Sequence, residues 1–237
     1  MTKTILNPHN PYNRIINHYS RGLRDITSHG VDHSLRLIQD IIGMAYKNWK
    51  WENALTQKEL FVLYASSWFH DIGMIINREK HSEHSREILE RVLASEFEGL
   101  FLIGKEEQEL ITHVIWAHSS KVNINSVPNN KYNVRLKGIA ALFRIFDACD
   151  ITESRAPRRI YEIIKDDMDK KSREFWEAHQ QISTLEFESP NIIKIIKKRN
   201  ANEDLLMKAI KELEKEIETT KDILSNEGLP VPEIKII

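Results

Sequence analysis

The chain has 237 residues, 41% hydrophobic and 29% charged, enough to bury a sizeable core in one compact domain, which excludes disorder as its main state. Lys and Arg number 34 against 35 Asp and Glu, a net charge of −1, so no global field draws it to anionic membranes, and a nucleic-acid partner is not expected. The single cysteine, Cys149, excludes an internal disulfide and a thiolate metal site; apolar runs stop short of the ~18 residues of a membrane span, and Met1 to Pro8 lacks a secretory-signal pattern, so a cytoplasmic protein is expected.

Apolar residues recur at three-and-four spacing, and glycine and proline are sparse, which predicts a mainly helical protein. The first helix is expected after Gly30-Val31-Asp32, with Asp32 as N-cap, His33 in the first turn, and Leu35, Leu37, Ile38, Ile41, Ile42 and Tyr46 facing inward. Thr56-Gln57-Lys58-Glu59 has the form of a capping box, so a second helix should run from there to about His70 and present His70-Asp71 at its end. A loop with Gly73 and Asn77 leads to a third helix through Ile88 and Leu89. A fourth, from about Glu106, ends near His118, and polar Ser119 to Lys131 reads as a loop. Leu136 to Ala148 is apolar on nearly every face, the mark of a helix buried in mid-bundle, and Asp147 lies near its end.

Pro157-Arg158-Arg159 precedes another helical stretch, and Lys170 to Gln181 forms one more. Leu185-Glu186-Phe187 and Ile192 to Ile196 read as two strands around Ser189-Pro190-Asn191. A long charged helix should follow from about Asn202 to Ser225, with Leu205, Leu206, Ala209, Ile210, Leu213, Ile217 and Ile223 on one face, and Glu233 to Ile237 can add a final strand. The expectation is a helical bundle over residues 1–180 and an α+β extension over 181–237, a small β-hairpin and long helix that pack on the body, on a second copy or on another partner. The basic cluster Lys194, Lys197, Lys198 and Arg199 reads as a solvated face.

Polar residues stand out in these apolar helices: His33, His70-Asp71, His81 or His84, His113 or His118, and Asp147. Histidine and carboxylate suit borderline and hard divalent cations, and a shared cation neutralises carboxylates that are costly to bury alone. Asp150 rivals Asp147, because three residues apart on a helix they share a face.

The pattern of an isolated His33 in His29-Gly30-Val31-Asp32-His33, an adjacent His70-Asp71 followed by Ile72-Gly73, and a later Asp147 in Phe143-Arg144-Ile145-Phe146-Asp147 resembles the HD-domain metal-dependent phosphohydrolases over roughly residues 20 to 160. The resemblance implies an HD-like helical bundle with His33, His70, Asp71 and Asp147 as ligands of one divalent ion. It also implies a second ion on His81 and His118 bridged by Asp71, with His84 and His29 as alternates, whereas His113 lies five before His118 and points elsewhere. The cofactor is then one or two ions of manganese, iron, cobalt, nickel, magnesium or zinc. The activity implied is hydrolysis of a phosphomonoester or phosphodiester of a nucleotide or related small metabolite by a metal-activated water, with Asp71 and His70 at the reacting centre. Guanidinium groups match phosphate, which makes Arg155 the candidate catalytic arginine and Arg144, Arg158 and Arg86 candidate substrate contacts, with Arg36 and Arg78 also near the motifs. The second reading is a non-catalytic metal- or nucleotide-binding sensor or interaction module on the same scaffold.

Overall fold

The computed structural model describes residues 30–48, 55–95 and 103–237. It is a mainly helical body with a small sheet and a long helix towards the C-terminus. Helix α1 (Val31–Arg36) runs without interruption through a π-helical segment (Leu37–Ile42) into α2 (Gly43–Asn48). Two expectations are corrected here. The N-cap is Gly30, whose carbonyl receives the Ser34 amide at 3.2 Å, and Asp32 sits in the first turn, where a carboxylate favours the positive helix end. The wider π turns also shift the inward face, so Ala45 is buried with Leu37, Ile41 and Ile42 while Tyr46 is exposed.

Helix α3 (Gln57–Phe69) opens with the expected capping box: Thr56 Oγ1 accepts from the Glu59 amide at 3.2 Å, and the Glu59 carboxylate accepts from the Thr56 amide at 2.8 Å. Glu59 is 1% exposed and also takes Arg135 Nε and Nη2, each at 2.8 Å, plus the Arg135 amide, which ties the start of α3 to the start of α6. A 3₁₀ turn (Ile72–Ile75) joins α3 to α4 (His81–Ser95), and α5 (Lys105–Ala117) packs on both α3 and α4. Helix α6 (Leu136–Ala148) has the predicted span and buries every residue from Gly138 to Phe146, which fits a sequence with no polar face of its own.

The chain then forms α7 (Arg158–Ile164), α8 (Lys170–His179), strands β1 (Ile182–Ser189) and β2 (Ile192–Lys197), helix α9 (Glu203–Asn226) and strand β3 (Glu233–Ile236). The first two strands form the expected antiparallel hairpin, with Phe187 opposite Ile193, and β3 joins β2 in parallel, with Ile193 opposite Ile234. Asn202 caps α9 through the Leu205 amide, and α9 lies against α6 and α8. A single apolar cluster runs from Leu37 through α6 to Phe187, Ile193 and Leu213, so sheet and long helix share the core of the bundle. Among the described residues no helix is long and apolar enough to cross a membrane.

Candidate metal centre

Five helix ends meet at one point. His33 and His81 lie in the first turns of α1 and α4; His70 and His118 are the C-cap residues of α3 and α5; Asp147 is in the last turn of α6. Three of these ends are C-termini and two are N-termini, so the helix dipoles leave a small excess of partial negative charge beside the cluster. Gly73 brings the fourth helix in close. A Cβ at residue 73 would stand 2.1 Å from the His81 carbonyl oxygen and 2.5 Å from the Ser85 amide nitrogen, so only glycine lets the start of α4 approach the His-Asp turn. Ser85 Oγ secures that approach, donating to the His70 carbonyl at 2.6 Å and accepting from the Gly73 amide at 2.8 Å.

All four histidines are oriented alike. Nδ1 of His33 meets Asp150 Oδ2 at 2.6 Å, and Nδ1 of His70, His81 and His118 meets the carbonyl oxygens of Ser67, Arg78 and Ile115 at 3.3, 2.7 and 2.5 Å. Each Nδ1 faces an acceptor and so carries the proton, leaving the Nε2 lone pair to point inward. There the Nε2 atoms of His33 and His70 are 3.2 Å apart and those of His81 and His118 are 2.9 Å apart. Asp147 Oδ1 stands 3.1 Å from His33 Nε2 and 3.6 Å from His70 Nε2. Asp71 is divided between two groups: Oδ2 is 3.3 Å from His70 Nε2, whereas Oδ1 is 3.5 Å from His81 Nε2 and 3.7 Å from His118 Nε2. The donor atoms of His33, His70 and Asp71, and separately those of Asp71, His81 and His118, lie within 4.8 Å of one another, and both sets could hold a metal ion.

The electrostatics follow from this crowding. Burial opposes a charge on His70, yet the Asp71 and Asp147 carboxylates outweigh it and raise its pKa to about 10, so positive charge at its Nε2, a proton or a cation in its place, is favoured there. Burial likewise opposes ionised Asp147, but positive charge at the neighbouring His70 and His33 Nε2 atoms holds its carboxyl well below the usual range, and a cation bound in their place would act in the same direction. Burial lowers His81, and neighbouring His118 adds to the effect. The carboxylates thus demand a compensating positive charge, and lone pairs facing each other at about 3 Å repel unless such a charge lies between them. A divalent cation satisfies both conditions, so the donor set fits a metal.

The candidate residues divide clearly. His33, His70, Asp71, Asp147, His81 and His118 come together as described. His84, with Nδ1 3.5 Å from Glu87 Oε2, and His113 belong to neither donor set, and His29 lies outside the described residues. Asp150 is not a rival ligand: α6 stops at Ala148, so its carboxylate is not on the Asp147 face and instead holds the far side of His33, itself gripped by Arg36 through two 2.8 Å bonds. Burial works against the Asp150 charge, but His33 and Arg36 hold its carboxyl far below the usual range. A cavity of about 330 Å³ opens on Asp71, His81, His118 and Asp147, with Arg144 and Arg155 in its lining. Arg86 and Arg158 are outside that lining: Arg86 lies over the Trp116 ring and bonds Glu90, and Arg158 is exposed beside Glu162. Sequence reasoning missed the α9 wall of the cavity, formed by Lys208, Ala209, Glu212 and Glu216. Its one legible sign is Glu216 itself, a carboxylate three residues after Leu213 and four before Thr220 on the buried face of α9.

A comparison with curated proteins finds no match. The family model described as HD-CE matches residues 16–219, a span that contains His33, the His70-Asp71 pair, His81, His118 and Asp147. On that match, over most of its length and with an HD-like His and Asp cluster at its centre, the chain belongs to the HD-CE family.

Proposed function

We propose that the chain is a metal-dependent hydrolase of phosphate esters with a binuclear centre, one ion held by His33, His70, Asp71 and Asp147 and the other by Asp71, His81 and His118. The observation that carries this reading is the common orientation of the four imidazoles, each with Nδ1 set against an oxygen acceptor and Nε2 turned to the centre. Bound divalent ions supply Lewis acidity, acidifying water and polarising a phosphoryl oxygen. The protein's own share is to set the positions of those groups and to place cations around the ester. Arg155 lines the cavity while its Nη1 donates to the Asp150 carbonyl at 2.9 Å, which anchors a guanidinium near the site of developing phosphoryl charge. The substrate is a small phosphorylated metabolite, in keeping with the cavity's size.

Elemental analysis of protein purified without chelator tests the reading. Two ions per chain are expected, with turnover of 4-nitrophenyl phosphate, and His118→Ala should leave one ion, because it removes a donor from one set only. No metal, even after reconstitution with manganese or iron, would exclude the hydrolase and leave the binding-module alternative. The support behind His33 is testable separately. Asp150→Asn keeps the shape but weakens the carboxylate that fixes the His33 tautomer, and metal affinity should fall about 10–100-fold in a competition titration with a chelator. Unchanged affinity would show that His33 is oriented without Asp150.

A further inference from the structure

Given the metal centre proposed above, we infer that the cavity takes a phosphate ester whose organic part presents a neighbouring hydrogen-bond donor and acceptor, and that Glu216 and Arg144 read that edge. Both residues are 4% exposed, and both line the cavity. Glu216 Oε2 is buried without a hydrogen-bond partner among the described residues, and its nearest cation, Arg144 Nη1, is 3.9 Å away, beyond hydrogen-bond reach. Arg144 is not free to close the gap. Its Nε donates to the Ala117 carbonyl at 2.6 Å, and its Nη2 donates to those of Ser119 and Val122 at 2.8 and 2.7 Å, so the guanidinium plane is pinned to the loop after α5.

The same chain shows what a purely structural pair looks like. Glu59 and Arg135 are joined by two 2.8 Å bonds, and the carboxylate keeps two backbone donors besides. Glu216 and Arg144 instead leave an acceptor and a donor side by side with a gap between them, an arrangement that costs stability unless something bridges it. Burial raises the Glu216 pKa and the Arg144 charge opposes the rise, as expected of a carboxylate short of donors. A ligand N–H or O–H meets the Oε2 lone pair while an adjacent ligand acceptor takes Nη1. Nucleobase edges and sugar hydroxyls carry such neighbouring groups, whereas a plain phenyl ring carries none. The half-exposed ring of Phe175, also in the lining, offers the organic part an apolar surface.

Calorimetric titration of the full, metal-loaded chain with adenosine 5′-monophosphate, ribose 5-phosphate and phenyl phosphate tests this, in wild type and in Glu216→Gln. The variant should bind the matching donor-bearing ester about 10–100-fold more weakly and phenyl phosphate as the wild type does, the range expected for a hydrogen bond to a charged group. A loss for the nucleotide alone assigns the base as the donor; a loss for both donor-bearing esters assigns the sugar. An equal loss for all three esters, or no loss while the melting temperature falls, overturns the inference and makes the pair a link between α6 and α9. If Glu216→Gln fails to fold, Glu216→Asp carries the same test, because it keeps the charge and withdraws the carboxylate by one methylene. Failure of every ester to bind wild type also overturns it, and metal content on the same samples tells whether the metal centre falls too: two ions with no discrimination among esters refutes the edge reading alone.

Discussion

Asp71→Asn should empty both metal positions at once and lower phosphate-ester hydrolysis by about 10³-fold or more, the largest catalytic effect expected of any single change. The reason is the division of its carboxylate, with Oδ2 beside His70 and Oδ1 beside His81 and His118. Asparagine preserves the volume but removes the charge and one of the two acceptor oxygens, so one ion loses its ligand atom and both lose part of their charge compensation, which weakens the whole pair. Loss of about 4 kcal/mol of transition-state stabilisation corresponds to that factor, within the several kcal/mol that metal Lewis acidity provides. The fold should survive, since asparagine has nearly the shape and volume of aspartate. Elemental analysis, circular dichroism and steady-state rates on one preparation decide the matter. A folded variant that keeps two ions and full activity would sink the bridging assignment.

The largest stability effect is expected from Arg135→Ala. Glu59 is 1% exposed, and removing the guanidinium leaves a buried carboxylate held only by the Thr56 and Arg135 amides. Breaking a buried pair from one side costs about 3–5 kcal/mol, which for a domain of this size lowers the melting temperature by about 6–20 °C. The pH dependence carries a definite sign. Burial opposes the Glu59 charge, but Arg135 and the backbone donors prevail and its pKa lies below the ordinary value of 4.5. A depressed carboxyl pKa stabilises the fold fully above the unfolded-state value, and that stabilisation is lost as pH falls through the folded value. The difference between wild type and Arg135→Ala should therefore be greatest near pH 7 and shrink below about pH 4.5. Denaturant midpoints at both pH values measure it, and a difference independent of pH would show that packing of the arginine stem, not the charge pair, supplies the stability.

Much of this architecture was legible in the sequence because its signals are local. The capping box at Thr56 and Glu59, the all-apolar run that became α6, and the hairpin around Pro190 each depend on residues within a few positions of one another. The residues of the His and Asp cluster were legible for a different reason: His and Asp inside apolar helices need a partner, and the His-Asp order matched a known pattern. What failed had non-local causes. The π segment reassigns Tyr46 to solvent and Ala45 to the core, and nothing in the period of apolar residues announces it. Asp150 was placed on the Asp147 face by helical spacing, but that rule lapses two residues after the helix ends. Arg86 and Arg158 were favoured by nearness in sequence, which carries little information about nearness in space. The α9 wall lies far along the chain from every motif, so only the assembled structure places Glu216 beside the cavity.

The order of these parts along the chain has a consequence for synthesis. The last residue of the His and Asp cluster, Asp147, precedes Glu203, the first residue of α9, by 56 positions. At about 5–20 residues per second, a ribosome needs on the order of 3–11 s to make that interval. Through those seconds the nascent chain holds every side chain of the His and Asp cluster but none of the helix that will flank them. An ion of the kind proposed can therefore reach the cluster before α9 is made, and α9 arrives afterwards to narrow the approach.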